Sequence, residues 1–360
     1  MTTRPSPTTG LGSDIVSTEG TAHAAADAQG TVVAGVDLGE PALAATVRAG
    51  LADVEELLVT ELSGGEDFLT EAALHLAKAG GKRFRPLFTV LTAQLGPKPS
   101  DPDVVTAATV VELVHLATLY HDDVMDEAAM RRGATSANAR WGNSVAILAG
   151  DYLFAHASRL VSTLGPEAVT TIAETFAELV TGQMRETIGA KAEQDPVDHY
   201  LEVVWEKTGS LIAAAGRFGG TFSGASEDQV ERLGRLGDIV GTAFQISDDI
   251  IDISSVAAQS GKTPGTDLRE GVHTLPVLYA LRDEGADSDR LRELLAGPVD
   301  EDSAVAEALE LLGRSAGMAA AKAKLGEYAD RARTELAALP QGPANHALAR
   351  LVDYTIERVG

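Results

Sequence analysis

The sequence predicts an all-α fold: a single large bundle of long antiparallel helices. Three observations carry this reading. Apolar residues recur at three-and-four spacing through most of the chain. Alternating β-branched runs that would announce strands are scarce. The interruptions are short and fall on glycine and proline, so successive helices are expected to lie side by side.

Taken in order, residues 1–40 are rich in Thr, Ser, Gly and Ala and lack a basic start followed by an apolar block. They read as a disordered tail rather than a secretory signal. Helical periodicity then marks Pro41–Leu62, Phe68–Ala79, Asp103–Tyr120, Ser144–Leu164, Glu167–Gly189, Val197–Gly219, Glu227–Ile253, Thr274–Glu284 and Ser303–Leu339. Breaks are expected at Gly80-Gly81, Gly96 to Pro99, Gly165-Pro166, Asp195-Pro196 and Gly261 to Gly265. No solenoid repeat and no compositional shift divides the remainder, so residues 41–360 read as one helical domain.

Composition narrows the function. A net charge of −24 argues against a nucleic-acid partner, whose phosphates need a basic surface. It leaves room for a small phosphorylated ligand where cations gather locally or metal bridges acid to acid. The chain has no cysteine, so thiolate chemistry is excluded. No run of 18 apolar residues suggests a membrane-spanning helix, and cytoplasm is the default compartment.

The chemistry concentrates in two clusters. The stretch Val111–Arg132 runs an apolar helix into Asp122, Asp123 and Asp126, and AFQISDDIIDIS repeats the pattern with Asp248, Asp249 and Asp252. Acids four apart share a helix face and repel one another. Beside an apolar wall they call for a cation, and magnesium typically joins one or two carboxylates to a substrate phosphate. Basic residues stand at the break points. Gly80-Gly81-Lys82-Arg83-Phe84-Arg85-Pro86 is a glycine-hinged loop before a helix, suited to a diphosphate. Arg131 and Arg132 follow the first cluster, Lys207-Thr208 interrupts an apolar helix, Gln245 lies one turn before Asp248, and Lys262 sits in the loop beyond the second cluster. His115, seven residues before Asp122, shares its face and reads as a diphosphate hydrogen-bonding group, whereas His121 reads as structural.

From Gly81 to Pro276 the blocks GKRFRP, ELVHLATLYHDDVMDEAAMRRG, GDYLFA, GQMRE, Lys207-Thr208, QISDDIID, GKTPGTDLREG and TLP resemble, in order, those of the trans-isoprenyl (polyprenyl) diphosphate synthases. The resemblance implies a bundle of long helices around a deep central cavity, present as a homodimer, that joins isopentenyl diphosphate to an allylic prenyl diphosphate. Three magnesium ions would be held by Asp122, Asp123, Asp126, Asp248, Asp249 and Asp252. It implies an isopentenyl diphosphate site at Lys82, Arg85, His115 and Arg132, and allylic diphosphate contacts from Arg131, Lys207, Thr208, Gln245 and Lys262. Val272 departs from the pattern, standing where many relatives carry a lysine. Bulky residues four or five positions before the first aspartate shorten the product in this family. Here Thr118 and Ala117 are small, which points to a medium- or long-chain all-trans product over geranylgeranyl diphosphate. Transient membrane contact at product release is compatible with such a product. A class I terpene cyclase would lack the second aspartate cluster and the Lys82/Arg85 loop, and a non-catalytic subunit of a heteromeric synthase would have damaged acids.

Overall fold

The computed structural model describes residues 30–254 and 264–359. Residues 1–29 of the expected tail, and Lys262, lie outside them. A two-stranded hairpin opens the described chain, β1 (Val32–Val33) pairing antiparallel with β2 (Val36–Asp37). Ala34 and Gly35 both adopt positive φ, +51° and +85°, the twist a two-residue hairpin turn requires. The tail reading is therefore corrected for residues 31–38: Val33, Val36 and Leu38 are buried in the main core. Two-residue strands carry too little alternation to stand out in a Ser/Thr/Gly/Ala-rich stretch.

Helices α1 (Pro41–Leu62), α2 (Asp67–Lys78), α3 (Phe84–Ala93) and α4 (Pro102–Met125) follow. A second small hairpin, β3 (Met130–Arg131) with β4 (Ala134–Thr135), leads into α5 (Ala137–Trp141). Next come α6 (Asn143–Ser162), α7 (Pro166–Ile188), α8 (Pro196–Val204), α9 (Ser210–Phe222) and α10 (Glu227–Ser254). The predicted breaks are caps. Asp101 and Asp195 each precede a proline at N1 and accept hydrogen bonds from the backbone N–H groups of Asp103 and Val197, at 3.1 and 2.8 Å.

Helix α4 is the central strut, packed by α1, α3, α6 and α9. Among the described residues it alone is long and apolar enough to cross a membrane, yet 67% of its most apolar stretch is buried inside the protein. The sequence reading missed this because Glu112 and His115 interrupt the apolar run without lowering its mean hydropathy much.

Two expected helices are broken. Within Val197–Gly219, Trp205–Gly209 form a π-turn, closed by the Ser210 N–H bonding to the Trp205 carbonyl. The expected Ser303–Leu339 helix is two, α14 (Asp302–Gly313) and α15 (Ala316–Ala337), because the Ser315 hydroxyl caps the Met318 N–H at 3.1 Å. Short α11 (Thr266–Glu270), α12 (Leu275–Ala280) and α13 (Ala286–Leu294) precede them. A last helix, α16 (Pro343–Glu357), was not marked by the sequence reading, although Ala344, Ala347, Leu348, Leu351 and Val352 are all buried along one face. The main buried cluster joins α1–α7 and α9 to the first half of α10, and a second joins its later half to α11–α15.

Candidate active site

The second half of α4 brings the first acids to the site. Asp122 and Asp123 close its last turns, and Asp126 caps it, its N–H bonding to the Asp122 carbonyl at 2.8 Å. Asp123 is fully buried and accepts from Arg131 Nε at 2.5 Å, while its Oδ2 has no partner. Arg131 also stands 3.8 Å from Asp126. Burial, added to by Asp126 and Glu186 and opposed by Lys207 and Arg131, raises the Asp122 carboxyl to about 6.

The second cluster lies on the last turns of α10. Asp249 is buried and accepts from the Tyr200 hydroxyl and, at 2.8 Å, from Gln245 Nε2. Its carboxyl is pushed up to about 7, chiefly by burial and further by Asp248 and Asp252. Asp248 pairs with Arg358, just beyond α16. Asp252 accepts from the backbone N–H groups of Thr266 and Asp267 at 3.3 and 3.2 Å. Burial raises the Glu270 carboxyl, and the charges of Asp126 and Asp252 add to that rise while Arg131 opposes it.

The basic residues form two groups. Lys207 leaves the π-turn to pair with Glu186 and acts on Asp122. Its stem lies on Gly182, where a Cβ would come within 2.9 Å of Lys207 Cγ and 2.7 Å of Glu206 Cβ. Thr208 donates to Gln245 at 3.4 Å, so Gln245 and Thr208 stand one contact behind Asp249. The other group surrounds α4 one to three turns earlier. His115 is half-buried among arginines; burial first, then Arg85, Arg132, Arg83 and Arg131, holds its imidazole neutral, well below the usual range. Arg85 Nε is buried without a partner, and burial lowers its guanidinium to about 10. Arg132 reaches the carbonyls of Gly80 and Leu76 at 2.6 and 3.2 Å. Lys82 bonds to the Tyr354 hydroxyl of α16 at 3.2 Å.

Between α4, α6 and α7 opens an apolar cavity of about 620 Å³. Asp122 and Lys207 stand in its wall, with Thr118, His121, Phe176, Leu179, Met184 and Ile188 among the lining. His121, read as structural, therefore faces the cavity, 3.3 Å from Asp151. Ala117 does not line it; 1% exposed, it backs against Gly150 of α6.

Residues 66–312 match the model of the polyprenyl synthetase family. The chain belongs to the polyprenyl synthetase family. It is 66% identical to the nonaprenyl diphosphate synthase of Mycobacterium tuberculosis, over 92% of this chain and 98% of that protein. Its identity to the dimethylallyltranstransferase of the same organism is 51%, over 90% and 99%. The crystal structure of a geranylgeranyl pyrophosphate synthase from Corynebacterium glutamicum, complexed with calcium and isoprenyl diphosphate, superposes with a TM-score of 0.81 at 53% identity, covering 89% of this chain and 99% of that one. This polyprenyl synthetase is thus an all-α prenyltransferase.

Among the described residues no three of its acids converge as a metal site; Arg131 engages Asp123, Tyr200 and Gln245 engage Asp249, and Arg358 engages Asp248. The unpartnered Asp123 Oδ2 and the raised carboxyls of Asp122 and Asp249 nevertheless mark negative charge that the protein alone leaves undercompensated, and they fit a divalent cation. Sequence reasoning missed Tyr200, Tyr354, Arg358 and Glu112. Glu112 alone left a local signal, a charge one turn before His115 inside an apolar helix.

Proposed function

We propose that this prenyltransferase condenses isopentenyl diphosphate head-to-tail with an allylic prenyl diphosphate, releasing pyrophosphate and building a medium- or long-chain all-trans polyprenyl diphosphate. The observation that carries this reading is that Asp122 of the first aspartate cluster and Lys207 stand in the wall of an apolar cavity, while Thr208, next to Lys207, bonds to Gln245, which bonds to Asp249 of the second cluster. Asp122, Asp123, Asp126, Asp248, Asp249 and Asp252 are the residues that would hold magnesium, three ions in all. Bound there, the metal supplies the positive charge that makes a diphosphate a competent leaving group.

The protein's own groups do the rest. Lys207 and Arg131 add charge next to the allylic diphosphate, with Thr208 and Gln245 behind them. Lys82, Arg85, Arg132 and neutral His115 hold isopentenyl diphosphate so that its double bond faces the allylic carbon, which is catalysis by positioning. The apolar wall excludes water that would quench an allylic cation. Thr118 leaves the cavity open next to Asp122, which supports a product longer than fifteen carbons. A twenty-carbon product is the rival reading, favoured by the likeness to the Corynebacterium enzyme.

Leu148 of α6 and Val169 of α7 are exposed and do not line the cavity, which supports a homodimer, measurable by light scattering. We place the enzyme in the cytoplasm, touching membrane as its product leaves. Incubation with labelled isopentenyl diphosphate, farnesyl diphosphate and magnesium, followed by chromatography of the dephosphorylated products, tests the reaction. A ladder beyond twenty carbons is expected; no uptake of label overturns the function, and a lone twenty-carbon product overturns the chain length.

A further inference from the structure

Glu112 is a carboxylate in the middle of α4 with 1% of its surface exposed. A buried acid is costly unless paired, and its partners are Arg83 at 3.1 Å and Arg132 at 3.8 Å. These two arginines share an unusual feature. Among the described residues only four non-glycine positions have positive φ, and Arg83 (+49°) and Arg132 (+53°) are two of them. Left-handed backbone costs an L-residue roughly 1–2 kcal/mol and persists only where surrounding contacts enforce it.

Those contacts are on the page. Both side chains donate to the Gly80 carbonyl, at 3.3 and 2.6 Å. Arg83 also reaches the Ala77 carbonyl at 2.8 Å, and Arg132 the Leu76 carbonyl at 3.2 Å. Leu76 and Ala77 lie in the last turn of α2, whose carbonyls favour cations; the Ala77 carbonyl also accepts from the Gly80 N–H at 3.4 Å. Arg132 fits there because Gly81 lacks a Cβ, which would sit 2.9 Å from the Arg132 guanidinium carbon. Two separate segments, residues 80–85 and the β3–β4 hairpin, are thus drawn to one buried anion. Glu55 helps Glu112 hold Arg83.

We propose that Glu112 is a positioning residue for the isopentenyl diphosphate site. It fixes Arg83, and through it the flanking Lys82 and Arg85, against Arg132, so that their charges converge on one diphosphate. The proposal rests on the reading of Lys82, Arg85 and Arg132 as that site. Glu112 lies behind the arginines, out of solvent, and touches no reacting atom. Removing its charge leaves Arg132 without its paired carboxylate and Arg83 with Glu55 alone, and loosens the tie between two strained backbones, so the loop and hairpin lose their common register.

The test is a split between the two substrates. Glu112→Gln is expected to raise KM for isopentenyl diphosphate about tenfold or more, as loss of a buried charge partner does. KM for farnesyl diphosphate and kcat should stay within about threefold. Glu112→Asp, which keeps the charge, should recover most of the affinity. Should Glu112→Gln fail to fold, Arg83→Lys, which keeps a cation but cannot fork between Glu55 and Glu112, carries the same expectation. An unchanged KM for isopentenyl diphosphate, or an equal rise for both substrates, overturns the proposal whatever happens to Tm. Lys82→Ala is the control: if it too leaves that KM unchanged, the underlying site is misassigned. If Lys82→Ala raises it and Glu112→Gln does not, only the positioning role fails.

Discussion

Asp249 shows how single residues set the chemistry available to this enzyme. Its carboxyl has no solvent, and the Tyr200 hydroxyl and Gln245 amide hold both its oxygens. With a folded-state value near 7, against 3.8 for an ordinary aspartate, the metal-free protein binds this proton more tightly than the unfolded chain does. Stability from this group is therefore present at low pH and is lost as pH rises from about 4 to about 7; Asp122, raised to about 6, acts in the same direction. Metal-free Asp249→Asn is expected to gain in Tm relative to the unsubstituted protein between pH 5 and pH 8, read by circular dichroism. A constant difference across that range contradicts the raised value. Asp122→Asn keeps the shape and removes charge from the leaving-group site. A loss of kcat on the order of 100-fold is expected, with an unchanged far-ultraviolet spectrum.

At the scale of elements, α4 and the π-turn divide the work. Thr118 and Ala117 are neighbours in sequence but differ by about 100° around α4. Thr118 lines the cavity, whereas Ala117 is buried in the main core with its carbonyl close to Gly150 of α6. Thr118→Phe is expected to shorten the product, seen as a shift in the chromatographic ladder. Ala117→Phe is expected to overpack the buried core around α4 and cost about 1–3 kcal/mol of stability, seen in denaturant titration. The two aspartate motifs and most of the cations gathered around α4 were legible in the sequence because acids at helical spacing and Gly-hinged basic loops are local patterns. The last-helix contacts were not. Tyr354 meets Lys82 across 272 positions, and Arg358 meets Asp248 across 110. No window of sequence contains both partners. The π-turn was hidden for another reason: it spans only Trp205–Gly209, so the apolar spacing of the helices on either side carries a helical reading straight across Lys207. Gly182 is the other half of that device, since any side chain there displaces the lysine stem.

Across the whole molecule, two buried clusters share α10, whose Leu233–Val240 segment enters one and whose Ala243–Ile253 segment enters the other; Tyr328 and Ile356 touch both. Separate cores in a chain this long often melt separately. A helix common to both argues for one transition, expected in calorimetry as equal calorimetric and van't Hoff enthalpies. Helix α16 reinforces this, packing on β2, where Arg350 pairs with Asp37 at 2.6 Å, while Tyr354 and Arg358 reach Lys82 and Asp248.

That closing helix has a practical corollary for anyone handling the protein. A bulky group joined to the chain close after Arg358 is carried by the residue whose guanidinium is seated at an aspartate motif. Preparations bearing such a group should therefore show lower specific activity than those without it.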